Sequence, residues 1–287
     1  ALVGPAQVHA QQDVGPVLGL GAAGTGLDVQ VGVVRVHLAA EHAAELQLLE
    51  DLAQTLDFAG NVVDGTSLHP SCLRVHDFDA RYLPSGQATA FAANIDYQDG
   101  ADLVSGTWRP YRLEVNHPLR IGGDRVYLQG HGYAPTFTVT FSNGQKRTQT
   151  VQWRPDDPRT LLSSGVIRLD PPGGMYPNAD ERRRHQLAIV GLFAPTAEFD
   201  GTLLSSKYPA LNDPAVAIDI YRGDTGLDSG RPQSLFSIDH RLLEQKRLTK
   251  VKRINLRQGE EVRLDDGTVV RFDGATPFVN LQVSHDP

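Results

Sequence analysis

From residue 73 to the C-terminus, apolar and polar side chains repeatedly alternate one for one. Each run ends at a turn sequence, which leaves little room for anything but a fold built from strands. Thr89, Phe91, Ala93, Ile95 and Tyr97 alternate with Ala90, Ala92, Asn94 and Asp96, so the first set shares one strand face. Pro84-Ser85-Gly86 ahead of them has turn chemistry and points back to Leu73–Leu83 as the partner strand. Tyr111, Leu113 and Val115 alternate with Arg112, Glu114 and Asn116, and Pro118 stops the run. Phe137, Val139 and Phe141 lead into Asn143-Gly144, a pair that tolerates positive φ and predicts a hairpin returning through Thr148–Trp153. The pattern returns at Leu187 and Ile189, and at Val216, Ile218 and Ile220. A last hairpin is expected about Asp265-Asp266-Gly267. One short helix with a charged face is expected in Ser237–Leu248. The fold class that follows is mainly β: irregular, sandwich-like antiparallel sheets with a few short helices.

The front of the chain differs. From Ala1 to Asp57 there is no Phe, Tyr, Trp or Lys, and Arg35 is the only Arg. Aromatic side chains supply much of an ordinary core. This stretch is therefore expected to be a low-complexity, partly helical front end over residues 1–61, with the β-rich domain over 62–287. The helix is placed at Leu38–Leu56, where Leu46, Leu49, Leu52 and Leu56 recur at helical spacing. The remainder reads as linker.

The net charge of -7 disfavours nucleic acid as a partner, because phosphate binding calls for a basic excess. The single cysteine, Cys72, excludes an intrachain disulfide and a zinc site built on cysteine pairs. The most apolar stretch, Val14–Val34, carries Pro16, Asp28 and several glycines and does not read as a membrane helix or a secretory leader.

Few motifs carry chemistry. Gly19-Leu20-Gly21-Ala22-Ala23-Gly24 matches a dinucleotide fingerprint, but the expected strand and helix around it are missing, so the match reads as chance. Asp77 and Asp79 straddle Phe78 as an exposed strand face would. Arg182, Arg183 and Arg184, and the basic residues from Lys246 to Arg253, read first as solvated faces; near a membrane the second run would suit an acidic partner or lipid headgroups. His117 and His131 sit at strand ends beside Pro or Gly, where a ring either fixes a loop or projects into a cleft to meet haem iron.

Five collinear stretches carry a family resemblance: VDGTSLHPSCLRVHDFDARYLPSGQ at 63–87, WRPYRLEVNHPLRIGGDRVYLQGHGYAPTFTVTF at 108–141, TVQWRPDDP at 150–158, FAPTAEFDGTLLSSKYPALNDPAVAIDIYRGDTGLDSGRPQSLF at 193–236 and VVRFDGATPFVNLQVSHDP at 269–287. From about Val62 onward the chain resembles the actinobacterial ResB-like family. The family's signature order is met by Asn116, Pro118, Gly122, Tyr127, Gln129 and Tyr133. The resemblance implies an assembly factor for c-type cytochromes in the second maturation system, not an enzyme in its own right. It implies a ResC-type membrane partner that handles haem and an apocytochrome c client. Haem is then a transient cargo, and the site of action is the outer face of the cytoplasmic membrane. Cys72 matches a cysteine that in relatives has a second cysteine upstream; here it is a thiol candidate for pairing, for exchange with client thiols, or for simple burial.

The chain departs from the family pattern in lacking membrane helices, and is expected to be a fragment with an atypical front end, produced by a frame error, a disrupted gene or a cloning boundary. Two other readings remain at this level. One is an exported β-rich binding module for a protein or cell-wall ligand. The other is a nucleotide-dependent oxidoreductase, resting on Gly19–Gly24 alone.

Overall fold

The computed structural model describes residues 31–37, 44–47, 71–227, 233–234 and 236–285. These residues form mostly strands with a few short helices, in several antiparallel sheets, as the alternation predicts. They divide into two compact units. The first holds residues up to Arg81, Ala88–His131 and Phe278 onward; the second holds Tyr82–Gln87 and Gly132–Pro277.

In the first unit, one sheet runs in the order β2 (Ala44–Gln47), β3 (Ser71–Tyr82), β4 (Ala88–Asp99), β5 (Arg109–Glu114). The other is built from β1 (Val31–His37), the end of β17 (Val269–His285), the start of β7 (Asp124–Thr140) and β6 (Leu119–Ile121). Leu73, Val75, Ala93, Ile95, Leu113, Val126, Leu128, Val279 and Leu281 join the two sheets in one apolar core. The predicted shared face of Thr89–Tyr97 is found: Ala93 and Ile95 are fully buried, with Phe91 and Tyr97 packed against the same core.

The front end corrects the sequence reading at two places. Ala44–Gln47, inside the predicted helix, is a strand whose residues oppose Cys72–Val75 in an antiparallel ladder. Local leucine spacing yields here to backbone pairing with β3, which satisfies donors and acceptors that a helix would satisfy internally. Val31–His37, assigned to linker, pairs with Phe278–Ser284. Its β-branched valines favour an extended chain once a partner strand exists. The rest of that helix and the glycine motif at 19–24 lie outside the described residues.

The second unit is centred on a five-stranded sheet: β15 (Leu248–Arg257), β14 (Ala215–Gly223), β11 (Leu187–Ala194), β10 (Ser163–Leu169) and β9 (Arg154–Pro155). The remainder of β7 pairs with β8 (Lys146–Thr150), and β16 (Glu261–Arg263) pairs with β17. Phe137, Trp153, Phe193 and Phe272 are fully buried in its core, each contributing about 1.5–3 kcal/mol. Both predicted hairpins form: Gly144 at φ 81 and Gly267 at φ 86 take the left-handed turn positions that glycine adopts without strain. A small hairpin of β12 (Ala197–Asp200) and β13 (Leu203–Ser206) completes the strands.

Among the described residues the helices are α1 (Ala101–Ser105), α2 (Ala179–Arg184) and α3 (His240–Glu244). Helix α2 explains the arginine run. Asn178 accepts the Glu181 N–H at the N-terminus, the acids occupy the first turn, and Arg182–Arg184 occupy the last, where the helix dipole favours cations. Arg183 and Arg184 pair with Asp180 and Glu181 one turn away.

Candidate functional site

The signature residues lie on one continuous path, β5–β6–β7, and most of them shape backbone. Asn116 takes φ 66 in the turn after β5, a conformation asparagine tolerates better than most residues. The turn closes when the His117 N–H donates to the Glu114 carbonyl at 3.0 Å. The Pro118 carbonyl accepts from the Tyr111 hydroxyl at 3.2 Å. Gly122 donates its N–H to Asp99 Oδ2 at 3.1 Å, which ties the β6–β7 turn to the end of β4. Tyr127 is half-buried on β7, and the Gln129 amide donates to Gln282 on β17. Tyr133 is buried in the second unit and donates to the Pro209 carbonyl at 2.9 Å; burial pushes its phenol up to about 12. The signature is therefore chiefly a set of turn and register contacts.

The two candidate histidines stand in opposite settings. His117 is exposed at the β5–β6 turn. His131 lies within β7, not at the strand end expected, and packs beside the stacked phenyl rings of Phe78 and Phe91, with centroids 4.9 Å and 4.6 Å away. Burial lowers its imidazole to about 4, so the ring is neutral at neutral pH. Val126 and Leu128 face the first core, whereas Tyr133, Phe137 and Val139 face the second, so the even-numbered series gives way to the odd across Gly130-His131-Gly132. Cys72, on β3 opposite Gln47, is buried and does not present its thiol at the surface.

Sequence reasoning passed over a concave site of the first unit. It is an open groove of about 330 Å³ lined by His76, Asn94, Ile95, Asp96, Pro110, Tyr111 and Arg112. His76 Nε2 meets Asp96 Oδ2 at 2.7 Å. Asn94 donates to Asp77 at 2.7 Å and accepts from Arg112 at 3.2 Å, and Arg112 Nε donates to Glu114 at 2.9 Å. Core residues on β3 run Leu73, Val75, then Phe78. That odd step sets His76 and Asp77 side by side on the outer face. The signal was present: Asn94, Asp96, Arg112 and Glu114 are the polar halves of two alternating runs. Knowing that β4 and β5 are neighbours is what joins them. Among the described residues no three His, Cys, Asp or Glu side chains come together in a metal-binding arrangement, and no helix is long and apolar enough to cross a membrane.

Two antiparallel β units, with long strands contributing to both and a signature devoted to turns and strand register, define a strand-built protein of two units. The chain belongs to the ResB-like family, whose model matches residues 43–287. The matched span begins ahead of Val62, where the resemblance first becomes legible, and takes in strand β2. Membership suggests a role in cytochrome c biogenesis. A search of the curated proteins and of the solved structures returns no match.

Proposed function

We propose that this chain acts as an assembly factor for c-type cytochromes, working with a ResC-type membrane partner that handles haem and passes it to apocytochrome c. Haem is cargo in this reading, and its covalent attachment takes place at the outer face of the cytoplasmic membrane. The observation that carries the proposal is the family match over residues 43–287. The geometry supports His117 over His131 as a group that meets haem or client directly, because the His131 ring packs against Phe78 and Phe91 while His117 is exposed. Exchange between Cys72 and client thiols would require β3 to part from its neighbours, since the thiol lies under the surface.

The test is a haem stain for covalently bound cytochromes in cells lacking the gene, with the gene restored in trans. Loss of stain that the restored gene reverses is the expected result. Normal staining in the deletion would overturn the proposal and leave an exported binding module as the better reading.

A further inference from the structure

We propose that the groove across β3, β4 and β5 is a docking site for an extended stretch of polypeptide, which lies along β5 and sets a side chain into the groove. This rests on the assembly-factor reading. It names the form in which the client is met: an unfolded segment, not a folded surface.

The chemistry of the lining selects the ligand class. Its charged groups are already matched, His76 with Asp96 and Arg112 with Glu114. A small ion of either sign finds no unpaired counter-charge there. Donors and acceptors nevertheless stand close together on the floor, at Asn94, Asp96, Arg112 and the remaining nitrogen of His76. A peptide unit offers one donor and one acceptor side by side and suits that lining. The volume of about 330 Å³ is at the small end for ligand pockets and fits side chains, not a folded partner.

The adjoining strand supplies the second half of the site. β5 is the terminal strand of its sheet and pairs with β4 on one side. Glu114 turns its carbonyl away from β4 to meet His117, so the alternation of an antiparallel ladder also turns Arg112 and Pro110 outward. Pro110 has no N–H to lose there, as its outward position requires. The Arg112 N–H and carbonyl and the Pro110 carbonyl meet no other strand among the described residues. A chain added along this edge takes up those three groups, and the alternation places its side chains beside Pro110 and Arg112, over the groove.

The experiment uses the full chain and a fluorescein-labelled peptide containing Ser-x-x-Ser-His in place of Cys-x-x-Cys-His, read by anisotropy. A second peptide carries N-methyl groups on alternate backbone amides. The expected result is at least tenfold weaker binding for Asn94→Ala, for the double variant His76→Gln with Asp96→Asn, and for the N-methylated peptide. Thermal melts verify that the variants fold. Should they not, a photo-cross-linker decides: Pro110→benzoylphenylalanine captures the peptide and Lys207→benzoylphenylalanine, in the second unit, does not. No binding by the native chain, unchanged affinity in folded groove variants, or no capture from position 110 overturns the proposal. If deletion of the gene abolishes haem staining while any of these negatives holds, the assembly role stands and only the groove falls. Normal staining in the deletion removes the assembly role itself.

Discussion

His131 titrates against the fold. Its folded value of about 4 lies below the usual 6.5 of an unfolded histidine, because burial beside Phe78 and Phe91 disfavours the charged ring. Stability from the neutral ring is fully present above pH 6.5 and is lost as pH falls toward 4, at up to about 1.4 kcal/mol per pH unit. The aspartates held low by hydrogen bonds to cationic or backbone groups, Asp219 and Asp157 among them, lose their contribution only below the ordinary carboxylate range. Urea unfolding followed from pH 7 to pH 4 should therefore show a falling midpoint in the native chain and a flatter profile in His131→Leu. Equal slopes would show that the ring does not govern this window. His117 gives the contrasting case. Being exposed, His117→Ala should leave the melting temperature within about 2 °C while lowering covalent haem in the staining assay. Unchanged staining would remove His117 as a contact. The sequence placed both histidines beside Gly or Pro, yet His117 stands in the turn between β5 and β6 while His131 lies within β7 against Phe78 and Phe91, partners that are about 40–50 residues away in the chain and that no local pattern names.

Among the elements, those announced by their own turns were legible. Asn143-Gly144 and Asp265-Asp266-Gly267 each name a hairpin within a few residues, and each hairpin is there. Strands β1 and β2 were not, because their partners are distant in sequence and their own composition carries no alternation strong enough to exclude a helix or a linker. The central sheet of the second unit shows a further constraint that local pattern conceals. A Cβ built on Gly191 of β11 would stand 2.1 Å from the Ala217 carbonyl oxygen of β14. Gly191→Ala should force those strands apart at a cost of about 1–3 kcal/mol or more, read as a lower denaturant midpoint. A variant as stable as the native chain would show that the strands yield easily at this crossing. The groove residues were visible singly as polar strand positions. Their assembly needed the β3–β4–β5 order and the odd step between Val75 and Phe78.

At the scale of the molecule, the first unit is discontinuous: residues 132–277 intervene between the two halves of one of its sheets. β17 serves both units, with Val270 and Phe272 in one core and Val279 and Leu281 in the other. Removing residues from Phe278 onward should leave β1 without a partner and uncover Val126 and Leu128, so that cooperative unfolding of the first unit disappears from hydrogen exchange while protection in the second persists. Retained protection on β3 and β4 would show that their sheet stands alone.

The same arrangement sets a timetable on the ribosome. Val31 faces Ser284, some 250 residues later in the chain. At roughly 5–20 residues per second, the earliest described strand waits on the order of ten seconds to a minute for its neighbour to be synthesised. The residues from 132 to 277 emerge in one continuous run and can collapse in the meantime. Throughout that interval the apolar faces of β3, β4 and the start of β7 lack their last covering strand. Protection from aggregation during translation is thus a demand that the order of the strands places on the cell.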